Sequence, residues 1–288
     1  MLFDIDHTTI YRYSQAVFLE PHTVRLVPRS GADQQLLNFE ITISPTPAGQ
    51  TTLIDAEGNS AIQAWFGGTT DGLKIHTQCR VKTLRENPFD YLACDDSLPQ
   101  SLPDELTAPL HHYQQRTAPT DPADDVVAKL SHSLAEAAGG SLCEFLNRLN
   151  QSLYDQFETI HREEGPPWPA RETLKKQRGS CRDLTVLFIN ACRVQGIPAR
   201  FVSGYQEGDP DQDNRDLHAW AEVYLPGGGW RGYDPTHGLA VADRHVAVAA
   251  AASAANAAPV TGSFRKTGAV AEMESTVNLK VATDGDAV

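Results

Sequence analysis

Three short runs of this chain hold the residue types that covalent acyl transfer requires. Gln177-Arg178-Gly179-Ser180-Cys181-Arg182-Asp183-Leu184 places a thiol where a helix should begin. Ser180 is a suitable N-cap and Asp183 a partner for it, as in a capping box. Apolar Leu184, Leu187, Phe188, Ala191 and Val194 follow at helical spacing until Gly196 and Pro198 end the pattern. A sulfur at that end of a helix meets unpaired N–H groups and the positive pole of the macrodipole, which favour the thiolate. Cys181 is therefore a candidate nucleophile.

The second and third runs form a hairpin. His218-Ala219-Trp220-Ala221-Glu222-Val223-Tyr224-Leu225 and Trp230-Arg231-Gly232-Tyr233-Asp234-Pro235-Thr236 flank Pro226-Gly227-Gly228-Gly229. Both are rich in aromatic and branched residues, and the glycines between them form the turn. Residues two apart share a face of a strand, so an even pairing register sets His218 and Asp234 side by side. A three-residue loop or a bulge gives that register, and a two-residue turn does not. In the resulting chemistry His218 takes the thiol proton, Asp234 orients the imidazole, and the Cys181 N–H faces the oxyanion.

Gly179-Ser180-Cys181, His218-Ala219-Trp220 and Asp234-Pro235-Thr236 resemble the core pattern of the transglutaminase-like superfamily of papain-related cysteine enzymes. The stretch from Leu2 to about Leu84 resembles the β-rich region that precedes the core in bacterial members, so the likeness extends over roughly residues 1 to 270. It implies that Cys181, His218 and Asp234 are the catalytic triad. It also implies a papain-like core of helices packed on an antiparallel sheet. Bacterial relatives carry a Gly-Arg-Asp-Tyr-like run before a Pro-Val segment near the carboxyl end. Here Ala249-Ala250-Ala251-Ala252-Ser253-Ala254-Ala255-Asn256 precedes Pro259-Val260. If the polar run touches substrate in relatives, this chain has altered that contact.

The rest of the chain must hold those groups in place. The first third alternates in period two, as in Leu37-Asn38-Phe39-Glu40-Ile41-Thr42-Ile43, with turn signals at Ser44-Pro45-Thr46-Pro47 and Glu57-Gly58-Asn59. That pattern predicts an antiparallel, β-sandwich-like amino-terminal domain over 1–87. Residues 88–122 read as a proline-rich linker, and 123–288 as the catalytic core. Helices are expected over 124–138 and 141–160, the second with Leu142, Phe145, Leu146, Leu149 and Leu153 on one face. The alanine run from Ala249 could be helix or loop, and the strands beyond it could extend the catalytic sheet. The fold class is therefore α+β.

Composition narrows the function classes. At 288 residues and 41% hydrophobic the chain can bury a large core. Its formal charge of −13 disfavours nucleic-acid and anionic-membrane partners. The start has neither a basic flank nor an apolar stretch, and no run reaches membrane-spanning length, so a cytoplasmic location is expected. Five cysteines make no disulfide framework. Cys79, Cys94, Cys143 and Cys192 read as structural, and His111, His112 and His132 as surface residues without a ligand partner. Trp168 reads as packing, with lining of the cleft as the alternative. Asp209, Asp211 and Asp213 alternate as in a calcium loop, but Asn214 and Trp220 stand where such a loop needs glycine and glutamate. No metal or cofactor is expected. The expected activity is hydrolysis of a peptide, isopeptide or other amide in a peptide or protein substrate. Glutamine transamidation and an inactive peptide-binding scaffold are the alternatives.

Overall fold

A computed structural model describes residues 1–116, 125–162, 165–208, 216–266 and 268–282. The amino-terminal elements are strands β1 (Leu2–Leu19), β2 (His22–Val24), β3 (Gln34–Ser44), β4 (Gly49–Ile54), β5 (Ser60–Trp65) and β6 (Thr70–Thr83). Helices α1 (Asp104–Gln114), α2 (Val126–Ala137) and α3 (Leu142–Gln156) follow. Strand β7 (Glu158–Thr159), helix α4 (Ala170–Lys176) and strand β8 (Arg178–Gly179) lead to helix α5 (Cys181–Val194). The chain then runs through β9 (Ala199–Gln206), β10 (His218–Leu225), β11 (Gly229–Asp234), β12 (Leu239–Ala240) and β13 (His245–Ala251). It closes with β14 (Val260–Thr261), β15 (Phe264–Arg265) and β16 (Ala271–Ala282).

Two antiparallel sheets make the amino-terminal sandwich. One has the order β15-β1-β6-β3, with β16 also on β1, and the other the order β14-β2-β5-β4. Alternation decides which side chains face inward, and Tyr13, Val17, Leu19, Val24, Leu26, Ile62, Phe66, Leu73 and Ile75 fill the space between the sheets. The 18-residue β1 is longer than that core needs. Its first half sends Phe3 and Ile5, beside Cys79 and Val81 of β6, into the core of the catalytic half. One strand thus serves two cores, and the sandwich is not a detached module.

In the catalytic half a five-stranded sheet runs β12-β11-β10-β9-β13. Helix α5 lies across it, burying Leu184, Leu187, Phe188 and Ala191, and α3 adds Leu142, Phe145, Leu146, Leu149 and Leu153. Both helical faces are those expected from spacing. Asp125 and Ser141 cap α2 and α3 by accepting the N–H groups of Ala128 and Glu144 at 3.0 and 3.2 Å. Among the described residues no helix is long and apolar enough to cross a membrane.

Three expectations change. The segment read as linker contains α1, which buries Leu110 and Tyr113. The later strands do not extend the catalytic sheet. Instead β14 pairs with β2, β15 with the end of β1, and β16 with β1 from Leu2↔Ala282 to Tyr13↔Ala271, covering an edge of β1 that β6 leaves open. The alanine run is strand through Ala251, and Ala249, Ala250 and Ala251 are fully buried. As the sheet's edge strand β13 has backbone groups to satisfy on its outer side. Gln34 accepts from Ala247 N–H at 2.8 Å and donates to its carbonyl at 3.0 Å; Asn59 does the same for Ala250 at 2.8 and 2.9 Å. Side chains no larger than methyl let the sandwich come this close. In this chain the alanine run therefore lies where β13 meets the sandwich.

Candidate active site

The local build of the α5 terminus explains its sequence. Asp183 is fully buried and its carboxylate accepts the Ser180 N–H at 2.8 Å, the Ser180 hydroxyl at 2.9 Å and the Trp168 N–H at 2.7 Å. Arg162 approaches the same carboxylate at 3.4 Å. A Cβ on residue 179 would stand 2.7 Å from the Asp183 Cβ, so Gly179 is what lets the cap close. The same carboxylate that starts the helix therefore pins the proline-rich loop beside it. Cys181 sits at the first turn, half-buried.

The hairpin has the even register. Leu225 pairs with Gly229 across a three-residue turn and Ala221 with Tyr233, which sets His218, Trp220 and Asp234 on one face. His218 Nε2 lies 2.7 Å from Asp234 Oδ2. A carboxylate only accepts, so Nε2 carries the proton and Nδ1 is the nitrogen left for sulfur. Burial alone would lower the His218 pKa. The negative charge of Asp234 and its hydrogen bond, helped by a hydrogen bond and charge interaction with Cys181, overcome it and raise the value to about 10. The three groups expected from the sequence are thus brought together, with the imidazole between thiol and carboxylate.

Trp220 covers this assembly. Its ring stacks on His218 with centroids 6.3 Å apart and is itself 1% exposed. Strand β9 makes room through Gly204, where a Cβ would come within 2.5 Å of the indole and 2.1 Å of the Val246 carbonyl oxygen. The lid keeps water from the His218–Asp234 bond, which strengthens it.

Two further histidines meet the same carboxylate. Asp234 Oδ2 also accepts from His237 Nδ1 at 2.9 Å and His245 Nε2 at 3.0 Å, while Oδ1 takes the Thr236 N–H at 3.0 Å. Burial would raise the Asp234 pKa, but the His218 charge and the bonds from all three histidines hold it well below the ordinary carboxylate value. No spacing in the sequence marks His237 or His245 as a partner of Asp234. His237 follows it by one turn, and His245 reaches it from three strands away in the sheet, so only the fold joins them.

By residue type, His218, Asp234 and His245 could ligate a metal, their donor atoms lying within 4.8 Å of one another. In this structure the same groups form a hydrogen-bond hub. Oδ2 occupies the centre, and each nitrogen stands from it at the distance of a donated proton. The alternating Asp209, Asp211 and Asp213 lie outside the described residues.

Of the other cysteines, Cys79 and Cys192 are buried and Cys143 half-buried; burial pushes the thiols of all three up, Cys79 to about 12. Cys94 differs from expectation, being exposed in a loop whose Cys94 N–H bonds Pro226. His111, His112 and His132 are exposed. Trp168 packs between two cations, with the Lys176 ammonium 4.0 Å and the Arg162 guanidinium 4.5 Å from its ring.

Comparison with known proteins identifies two regions of the chain. Residues 3–82 match the family described as the bacterial transglutaminase-like N-terminal region, and residues 128–235 match the transglutaminase-like superfamily core. An uncharacterized protein of Mycobacterium tuberculosis, Rv2569c, is 27% identical over 308 residues, covering 99% of this chain and 94% of its own length. A protein-glutamine gamma-glutamyltransferase of Pseudomonas aeruginosa is 36% identical over 69 residues, 22% of this chain and 10% of that protein. A solved structure from Cytophaga hutchinsonii, described as a candidate cysteine protease, superposes with a TM-score of 0.66 at 18% identity over 97% of this chain and 98% of its own. That likeness is one of fold. Both family regions are matched in order, and the second, residues 128–235, takes in Cys181, His218 and Asp234 and is a transglutaminase-like superfamily core.

Proposed function

We propose that this protein is a cysteine-dependent acyl-transfer enzyme that hydrolyses amide bonds of a peptide or protein substrate, with Cys181, His218 and Asp234 as its triad. The observation that carries the reading is the continuous relay from buried Asp234, 2.7 Å from His218 Nε2, through the ring to Cys181. His218 takes the thiol proton, and the thiolate attacks the amide carbon. The Cys181 N–H, free at the first turn of α5, bonds the developing oxyanion. As the C–N bond breaks, His218 gives its proton to the departing nitrogen and a thioester remains. Water, deprotonated by His218, then cleaves the thioester to acid and thiol.

Hydrolysis is preferred because the full-length fold likeness is to a protein described as a candidate cysteine protease. The 69-residue match to a glutamyltransferase favours transamidation as the second reading, in which an amine replaces water. One experiment separates them. Wild-type protein and Cys181→Ala are incubated with glutamine-containing peptides and casein, with and without a labelled primary amine. Peptide cleavage or ammonia release that needs Cys181 and incorporates no amine supports hydrolysis; incorporation of amine supports transamidation. Failure of Cys181 to react with iodoacetamide in a His218-dependent way would leave only the scaffold reading.

A further inference from the structure

His245 is placed as few core residues are. Its side chain is 2% exposed, its Nε2 lies 3.0 Å from Asp234 Oδ2, and the indole of Trp220 meets it edge-on at 5.1 Å. Its other nitrogen, Nδ1, is buried with no hydrogen-bond partner. A buried polar atom without a partner costs stability, so an aliphatic side chain would serve packing better. What an aliphatic residue cannot supply is the one bond His245 makes. Burial holds this imidazole below its ordinary pKa against the opposing bond and charge of Asp234, so the ring is a neutral Nε2–H donor.

We propose that His245 is a positioning residue for the acyl-transfer site, whose N–H fixes the Asp234 carboxylate and keeps it from taking up a proton. This rests on the triad proposed above. A carboxylate offers about four lone-pair sites over its two oxygens, and four donors meet Asp234: the N–H groups of Thr236, His218, His237 and His245. Among the described residues the titratable groups facing Asp234 are His218 on β10, His237 in the turn after β11 and His245 on β13, with Cys181 beyond His218. His218 must pivot its proton traffic toward sulfur, and His237 is 40% exposed and open to exchange with water. His245 is the histidine donor shielded from solvent, 2% exposed. Without it the Asp234 carboxylate loses one of its four donors in a dry site, and its protonation becomes easier. The acid limb of thiol reactivity then moves to higher pH.

The test compares wild type with His245→Leu, His245→Gln and His245→Asn. Glutamine can present an amide N–H near the position of Nε2, and asparagine is too short. The rate of Cys181 modification by a dipyridyl disulfide is followed from acid to neutral pH by mass spectrometry, with thermal midpoints recorded alongside. His245→Leu and His245→Asn should raise the acid limb by about one pH unit, the equivalent of one hydrogen bond to a charge, while His245→Gln keeps the wild-type limb. If His245→Leu does not fold, the contrast between the glutamine and asparagine variants decides. An unmoved limb in the variants lacking the donor overturns the proposal, as does a uniform loss of rate at every pH, which is what loosened packing alone would give. Wild-type modification that is insensitive to His218→Ala would instead overturn the triad itself.

Discussion

Replacing Asp234 by asparagine keeps the shape of the hub and removes its charge. The His218 pKa stands at about 10, against an ordinary 6.5, because the charge and bond of Asp234 outweigh burial. Take the charge away and only the smaller interaction with Cys181 is left to oppose burial, so His218 falls back to its ordinary 6.5 or lower. At pH 7.5 the protonated fraction of the ring then drops from nearly all to under about a tenth. The thiolate loses its counterion in the same proportion, and the rate constant of Cys181 with iodoacetamide should fall at least about tenfold. Mass-spectrometric labelling of all five cysteines reads this, with exposed Cys94 as the internal reference in each tube. If Asp234→Asn alkylates at the wild-type rate from pH 6 to 9, the carboxylate does not set the state of the imidazole and the relay is wrong.

Stability should carry the same signature. The folded value of His218 is raised, so its contribution is complete below about pH 6.5 and is lost as pH climbs through about 10. The urea midpoint of the wild type should decline across that window, and that of Asp234→Asn should decline less. Gly204→Ala sets a methyl against the Val246 carbonyl and the Trp220 ring and should cost about 3 kcal/mol in chemical denaturation. A loss below about 1 kcal/mol would mean that the indole is not locked over β9. Gln34→Ala strands the Ala247 N–H, whose carbonyl keeps the Arg29 N–H, and Asn59→Ala strands both the N–H and the C=O of Ala250; each should cost about 2 kcal/mol, with little effect on Cys181 labelling. Thermal melts and labelling of the same samples check both halves of that statement.

The sequence disclosed the nucleophile end of the site almost completely, because a capping pattern, helical spacing and a nearby thiol are all local. Gly179, Ser180 and Asp183 are within one turn of Cys181, and the contacts they make with one another follow from that nearness, whereas Trp168 and Arg162 reach Asp183 from farther along the chain. The hairpin was legible except for its register, which hung on whether Pro226-Gly227-Gly228 made a three-residue turn. What stayed hidden depends on distant pairing. His245 reaches Asp234 only because β13 adds to β9, and the alanine run becomes a strand only because Gln34 and Asn59 satisfy its outer edge. Small residues with fair helix propensity gave no local sign of this. The strands after Val260 were misplaced for the same reason, since their partners lie more than 200 residues earlier.

That last pairing has a consequence for how the molecule is made. Strand β16 zips along β1 from Leu2 to Tyr13, so β1 waits for a segment synthesised far later before its sheet is whole. Until then β1 offers a ribosome-bound chain a bare flank of N–H and C=O groups, open to any passing extended peptide. Closing so wide a loop is slow. Birth of the thiol and imidazole precedes closure of the sheet, and a variant cut before residue 271 should emerge as an adhesive species prone to clumping.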